Sequence, residues 1–160
     1  MPLKPINQAI VDDLVGSSQN SARLRSSLMF HEQAADHVQR MVTVAQPGSY
    51  VRPHKHQDPD KVEVFLILKG RLLVVTFADD GRVLEHVVLD VTVGSWGVEV
   101  PPATWHMTLP LEPDTSYYEV VEGPWDEHTH KKFPSWAPEE RDVEAAQAFT
   151  GRIRQELMLY

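Results

Sequence analysis

The sequence contains no cysteine. That absence removes disulfides, thiolate nucleophiles, iron–sulfur clusters and thiolate zinc sites, so any bound metal must be held by nitrogen and oxygen. It also lacks an apolar run approaching the ~20 residues that span a bilayer. The opening stretch MPLKPINQAIVDDLVGSS carries Asp12 and Asp13 where a signal peptide would be apolar, which predicts a cytoplasmic protein. Basic residues are scarce: 15 Lys and Arg against 23 Asp and Glu give a formal charge of -8. A surface of that balance argues against a nucleic-acid partner. There is no internal repeat and no low-complexity tract.

What is present fits one folded domain over residues 1–160, with 42% hydrophobic and 24% charged residues. Ile6, Ile10 and Leu14, with Val11 and Val15, recur at three- and four-residue spacing and predict a short helix over about 6–16, ended by Gly16. Ser17–Ser27 reads as a polar connecting loop. From about Val38 to Glu122 the chain is a succession of short β-branched runs divided by turn signals. The predicted strands are Gln39–Ala45, Val62–Leu68, Arg71–Phe77, Val83–Leu89, Val91–Val93, Gly97–Val100, Trp105–Leu109 and Ser116–Val121. With no helices between them they indicate an antiparallel barrel or sandwich and exclude a parallel βαβ protein. The tail predicts a second helix over about 139–158, opening at Pro138-Glu139-Glu140.

Eight histidines in a cysteine-free chain direct attention to their placement. His54 and His56 are two apart, so on an extended segment both leave the same face. Glu63 opens the next long strand on a face shared with Phe65 and Ile67. A lone carboxylate among inward apolar side chains is costly unless something positive meets it. His106, following the Pro101-Pro102 turn, is the fourth candidate. Three imidazoles and one carboxylate suit a borderline divalent ion with one or two open positions, the arrangement of a catalytic site. The ion could be zinc, iron, manganese or nickel. Competing readings are an ion pair of Glu63 with Lys61 or Arg71, and replacement of Glu63 by Asp58 or Asp60.

These motifs resemble the cupin superfamily. Gly48, His54-x-His56, Glu63 and Gly70 are similar to its first metal motif, and Pro101-x-Ala103-x-x-His106 to its second. The resemblance narrows to the WbuC-type cupin fold metalloproteins on Arg23-x-Arg25, His31, Val38-Gln39-Arg40, Gly48 to His56, Gly97 to Pro102 and Trp105-His106. Gly123-Pro124, Lys131 or Lys132, Phe133 and Trp136 to Glu139 extend it to about residues 20–140. Two departures stand out. Six residues separate His56 from Glu63, a longer loop than cupins usually have, and Ala103 occupies a position where glycine is common. The resemblance implies a mainly β fold, the double-stranded β-helix of the cupin jelly-roll barrel, with a core over about 38–122 and short N- and C-terminal helices. It also implies one divalent metal at His54, His56, Glu63 and His106.

Arg52, His31, Gln39 and Tyr50 are candidates for binding substrate at the barrel mouth, Arg52 because it lies two residues before His54. Trp105 is expected to point away from His106, and Glu119 to support a ligand imidazole. His128 and His130, in a polar segment without strand character, read as surface residues. Val64, Leu66 and Leu68 form an apolar outward face that a terminal helix or the second subunit of a homodimer would cover. The expected function is that of a metalloprotein acting on a small sugar-like or carboxylate ligand. It would be an isomerase or epimerase in bacterial surface-polysaccharide metabolism, since the family is associated with such gene clusters. The alternatives are a metal-dependent dioxygenase and a non-catalytic ligand-binding or sensing module.

Overall fold

The structure, a computed structural model, describes residues 3–159. Helix α1 (Gln8–Asn20) is followed by strands β1 (Arg25–Met29), β2 (Val38–Ala45), β3 (Glu63–Lys69), β4 (Arg71–Phe77), β5 (Val83–Asp90), β6 (Gly97–Val100), β7 (Trp105–Pro110) and β8 (Thr115–Glu122), then by helix α2 (Val143–Glu156). The strands form an antiparallel five-stranded sheet, β1-β2-β8-β3-β6, and a three-stranded one, β5-β4-β7. The chain crosses from one sheet to the other after β3, β5, β6 and β7, which is the jelly-roll arrangement.

Strand periodicity explains the layers. On β3, Glu63, Phe65 and Ile67 are buried while Leu66 and Leu68 are exposed, so one face turns inward. Phe65, Ile67 and Tyr117 of the larger sheet meet Leu72, Val74 and Leu89 of the smaller one. The opposite face of the smaller sheet, carrying Leu73, Val75, Phe77, Met107 and Leu109, is covered by Ala146, Phe149 and Ile153 of α2. This locates His106: flanked by the outer Met107 and Trp105, it projects between the sheets. Leu66 and Leu68 remain 42% and 36% exposed, so neither terminal helix covers the outer face of β3.

Several boundaries differ from those read in the sequence. Helix α1 continues past Gly16 because Ser18 Oγ donates to Val15 O at 2.7 Å and itself accepts from the buried Gln46 amide at 2.8 Å. Arg25–Met29 is a strand, paired along its length with β2; as a half-exposed edge it lacks apolar alternation. Val91–Val93 is a 3-10 turn, held where Asp90 Oδ1 accepts from Thr92 N at 2.8 Å, and closed by left-handed Gly94. Helix α2 begins at Val143, capped by Asp142, whose carboxylate accepts from Ala145 N at 3.1 Å. The preceding Glu140 is engaged elsewhere, by Arg23 and Arg25.

Two glycines set close approaches. Gly70 turns β3 into β4 at φ +75, where an added Cβ would lie 2.8 Å from Thr115 Oγ1. At Gly123 an added Cβ would fall 1.9 Å from Asp36 O, so only glycine lets the end of β8 pass the 31–37 loop.

Candidate metal centre

His54 and His106 face each other across an isolated bridge in which each backbone N–H donates to the other's carbonyl, at 3.0 and 2.9 Å. Their rings lie 4.5 Å apart. His56 follows in the same extended segment, with its carbonyl accepting from Ala103 N at 2.9 Å. Glu63 enters from β3, where it pairs with Val100 on one side and Val121 on the other. One ligand-type atom from each of His54, His56, Glu63 and His106 lies within 4.8 Å of all the others, and all four residues are buried.

Each imidazole is oriented through Nδ1. His54 Nδ1 meets Arg52 O at 2.9 Å, His56 Nδ1 meets His130 O at 2.5 Å, and His106 Nδ1 meets Thr104 O at 2.9 Å. A carbonyl oxygen only accepts, so Nδ1 carries a proton in all three rings and Nε2 is the atom turned to the site, a lone pair wherever the ring is neutral and a donor to Glu63 wherever it is protonated. His106 Nε2 and His56 Nε2 lie 2.8 and 3.0 Å from the same oxygen, Glu63 Oε2. The Nε2 of His54 is buried without any hydrogen-bond partner. Three lone pairs and a carboxylate converging in a buried site require a cation or shared protons, so the residues present fit a divalent ion.

Electrostatics agree with that geometry. Burial disfavours the Glu63 carboxylate, but the hydrogen bonds from His106 and His56 outweigh it and hold the group well below the usual carboxylate range. Burial, reinforced by the charge of Lys131, keeps His54 well below the ordinary histidine value and therefore neutral. Glu119, on β8 opposite Phe65, reaches the same cavity; burial and the neighbouring charge of Glu63 push its carboxyl up to about 8. Glu63 is engaged by His56 and His106, while Arg71 pairs with Asp90 and Glu112, and Asp58 pairs with Lys132 on the exposed loop.

The other sequence candidates are dispersed. Tyr50 is a core residue: its hydroxyl donates to Pro138 O at 3.0 Å and its ring packs on Phe149. Arg52 does not share the face of His54, because residues 51–53 are not a regular strand; its guanidinium lies 4.9 Å from the Phe133 ring and donates to Pro134 O at 3.2 Å. His31 and Gln39 line an open groove of about 620 Å³ beside the barrel mouth, where the Gln39 amide donates to Ala34 O and Asp36 O. Trp105 packs outward, its indole donating to Asp79 Oδ1 at 2.8 Å. His128 is exposed, but His130 is buried and lies 4.7 Å from the His56 ring. Burial, then the charge of His56, pushes His130 down to about 3. Sequence reasoning missed its role because the segment has no strand periodicity and meets the barrel through long-range contacts, among them the Lys55–Lys132 bridge and the His56 Nδ1–His130 O contact. The same bridge delivers Lys131 to the cavity that holds His54 and Glu63. Position 131 could have been suspected only from the shared family stretch.

The fold and the buried cluster together define a cupin-type β-barrel whose lumen suits a metal. The chain belongs to the family described as a domain of unknown function, DUF6016, whose model matches residues 6–89. No curated protein matches the sequence. Among solved structures, the Shewanella oneidensis protein SO0799 is similar in fold, with a TM-score of 0.51 at 10% identity over 67% of this chain and 72% of that one. KdgF from Halomonas sp. gives 0.49 at 15% identity over 65% and 83%. The cupin domain of Schizosaccharomyces pombe Cnp3 gives 0.46 at 14% identity over 61% and 64%.

Proposed function

We propose that this protein is a WbuC-type cupin metalloprotein that binds one divalent ion through His54, His56, Glu63 and His106 and acts on a small sugar-like or carboxylate ligand. The observation that carries the reading is the buried, unpartnered Nε2 of His54, aimed at two further Nε2 atoms and a carboxylate while all three Nδ1 atoms are engaged by carbonyls. When bound, such an ion supplies Lewis acidity toward a carbonyl or hydroxyl oxygen. The chain's own residues orient the imidazoles, exclude bulk water, and place the Glu119 carboxyl where it can hold or move a proton at the lumen wall. That proton-handling group favours isomerase or epimerase chemistry over dioxygenation, within the bacterial surface-polysaccharide metabolism that the family resemblance suggests. A homodimer covering Leu66 and Leu68 belongs to the same reading.

Elemental analysis of protein purified without an affinity tag tests the metal site. The expected result is close to one equivalent of metal in the wild type and its loss in His106→Ala. Metal well below one equivalent, unchanged by His106→Ala, overturns the reading. Turnover across panels of sugars and keto acids separates the enzyme from the binding module: metal-loaded protein that binds such ligands and leaves them unchanged is a module.

A further inference from the structure

Lys131 lies where three cavities meet: the lumen cavity of about 130 Å³ that holds His54, Glu63 and Glu119, and two outer clefts of about 620 and 400 Å³. Its backbone is pinned on both sides. The His130 carbonyl is engaged by His56 Nδ1 at 2.5 Å, and Lys132 exchanges backbone hydrogen bonds with Lys55 at 3.0 and 3.1 Å. The Lys132 ammonium is engaged by Asp58, whereas the Lys131 ammonium has neither a hydrogen bond nor an ion pair among the described residues. Glu63 and Glu119 line the same cavity, yet neither forms an ion pair with it, and Glu63 is already engaged by His56 and His106. In the adjoining cleft, Arg52 Nε is buried without a partner.

Lys131 is half-buried, and any hydration its ammonium gives up at the cavity mouth is replaced by no acceptor among the described residues. A carboxylate or phosphate oxygen at the cavity mouth would restore that interaction as a charge-assisted hydrogen bond. We propose that Lys131 is the anchor for the anionic group of a small carboxylate- or phosphate-bearing ligand whose other end reaches the His54, His56, Glu63 and His106 cluster. The lumen cavity admits only a few non-hydrogen atoms, so a larger ligand continues past Lys131 into the groove lined by Trp125 and Phe133. The inference takes its ligand class from the proposed function, but Lys131 acts on the anion whether or not an ion is bound.

Calorimetric titration of the full chain with malonate and with inorganic phosphate tests it, in EDTA and again after loading with zinc. Lys131→Met is expected to weaken anion binding about tenfold or more, the scale of a hydrogen bond between charged groups. Lys131→Arg is expected to retain binding and Lys132→Met to match the wild type, with metal content unchanged in all three. Preference for malonate assigns a carboxylate ligand, and preference for phosphate a phosphorylated one. Should Lys131→Met fail to fold, Lys131→Gln, which keeps a polar stem without the charge, carries the same comparison. Equal affinity in wild type and the uncharged variant, or no binding of either anion to wild type at about 10 mM, overturns the proposal. A wild type devoid of metal overturns the metalloprotein reading alone, because the titration in EDTA still reports on Lys131.

Discussion

Glu140 ties the segment before α2 to the first strand, and Glu140→Gln measures what that tie contributes. Its carboxylate accepts from Arg25 at 3.0 and 2.9 Å and from Arg23 at 3.1 and 2.8 Å. The Arg25 side chain is 13% exposed and that of Arg23 is 64% exposed, so the two contacts differ in worth. The shielded Arg25 pair contributes about 2 kcal/mol and the solvated Arg23 pair about 0.5 kcal/mol. Glutamine keeps one acceptor and loses the charge, leaving a net loss of about 2 kcal/mol. For a chain of this size that lowers the melting temperature by roughly 4–8 °C. The loss depends on pH in a defined direction. Burial opposes ionisation of Glu140, but the charges of Arg25 and Arg23 outweigh it and hold the carboxyl below its ordinary value of 4.5. A depressed carboxyl contributes stability that is fully present above its unfolded value and is lost as pH falls through the folded one. Thermal unfolding of wild type and Glu140→Gln should therefore differ most at neutral pH and converge as pH drops below 4.5. Melting within about 1 °C of wild type at neutral pH, or a gap that does not change with pH, would refute the assignment.

Ala103 adopts φ 57, a left-handed conformation that costs an L-residue about 1–2 kcal/mol. Ala103→Gly relieves that cost but loosens the unfolded chain, for a net gain of about 0.5–1 kcal/mol that thermal unfolding reads; a lower melting temperature would contradict it. Leu66→Glu with Leu68→Glu should convert a wild-type dimer into a monomer in sedimentation velocity at micromolar concentration. A wild type that is already monomeric removes the dimer.

The legible parts of the fold were those that depend on local pattern. Arg71–Phe77 and Gly97–Val100 coincide with β4 and β6, because uniform β-branched or alternating runs between turn signals specify strands without help from distant residues. β1 was not legible, since its polar edge residues become a strand only by pairing with β2. His54 and His56 share a target as their two-residue spacing predicts, and Glu63 joins them despite the long loop because β3 is positioned by its partners β6 and β8. The same spacing failed for Arg52, whose segment is irregular and whose guanidinium is drawn to Phe133. The left-handed Ala103 gives a physical reason for glycine at that position in the resembling family.

By itself, the sequence determined the chemistry available: no thiolate, eight histidines, an acidic surface, and a run of short strands whose alternation sends one face inward. Tertiary structure decided which of those groups meet. His130 and Lys131 are remote from His56 in sequence, yet the Lys55–Lys132 bridge brings one carbonyl onto the His56 ring and one ammonium to the cavity mouth. Alternation fixes which way a side chain points along its own strand, whereas the partner that it meets there is set by long-range pairing, which leaves no local periodicity to read.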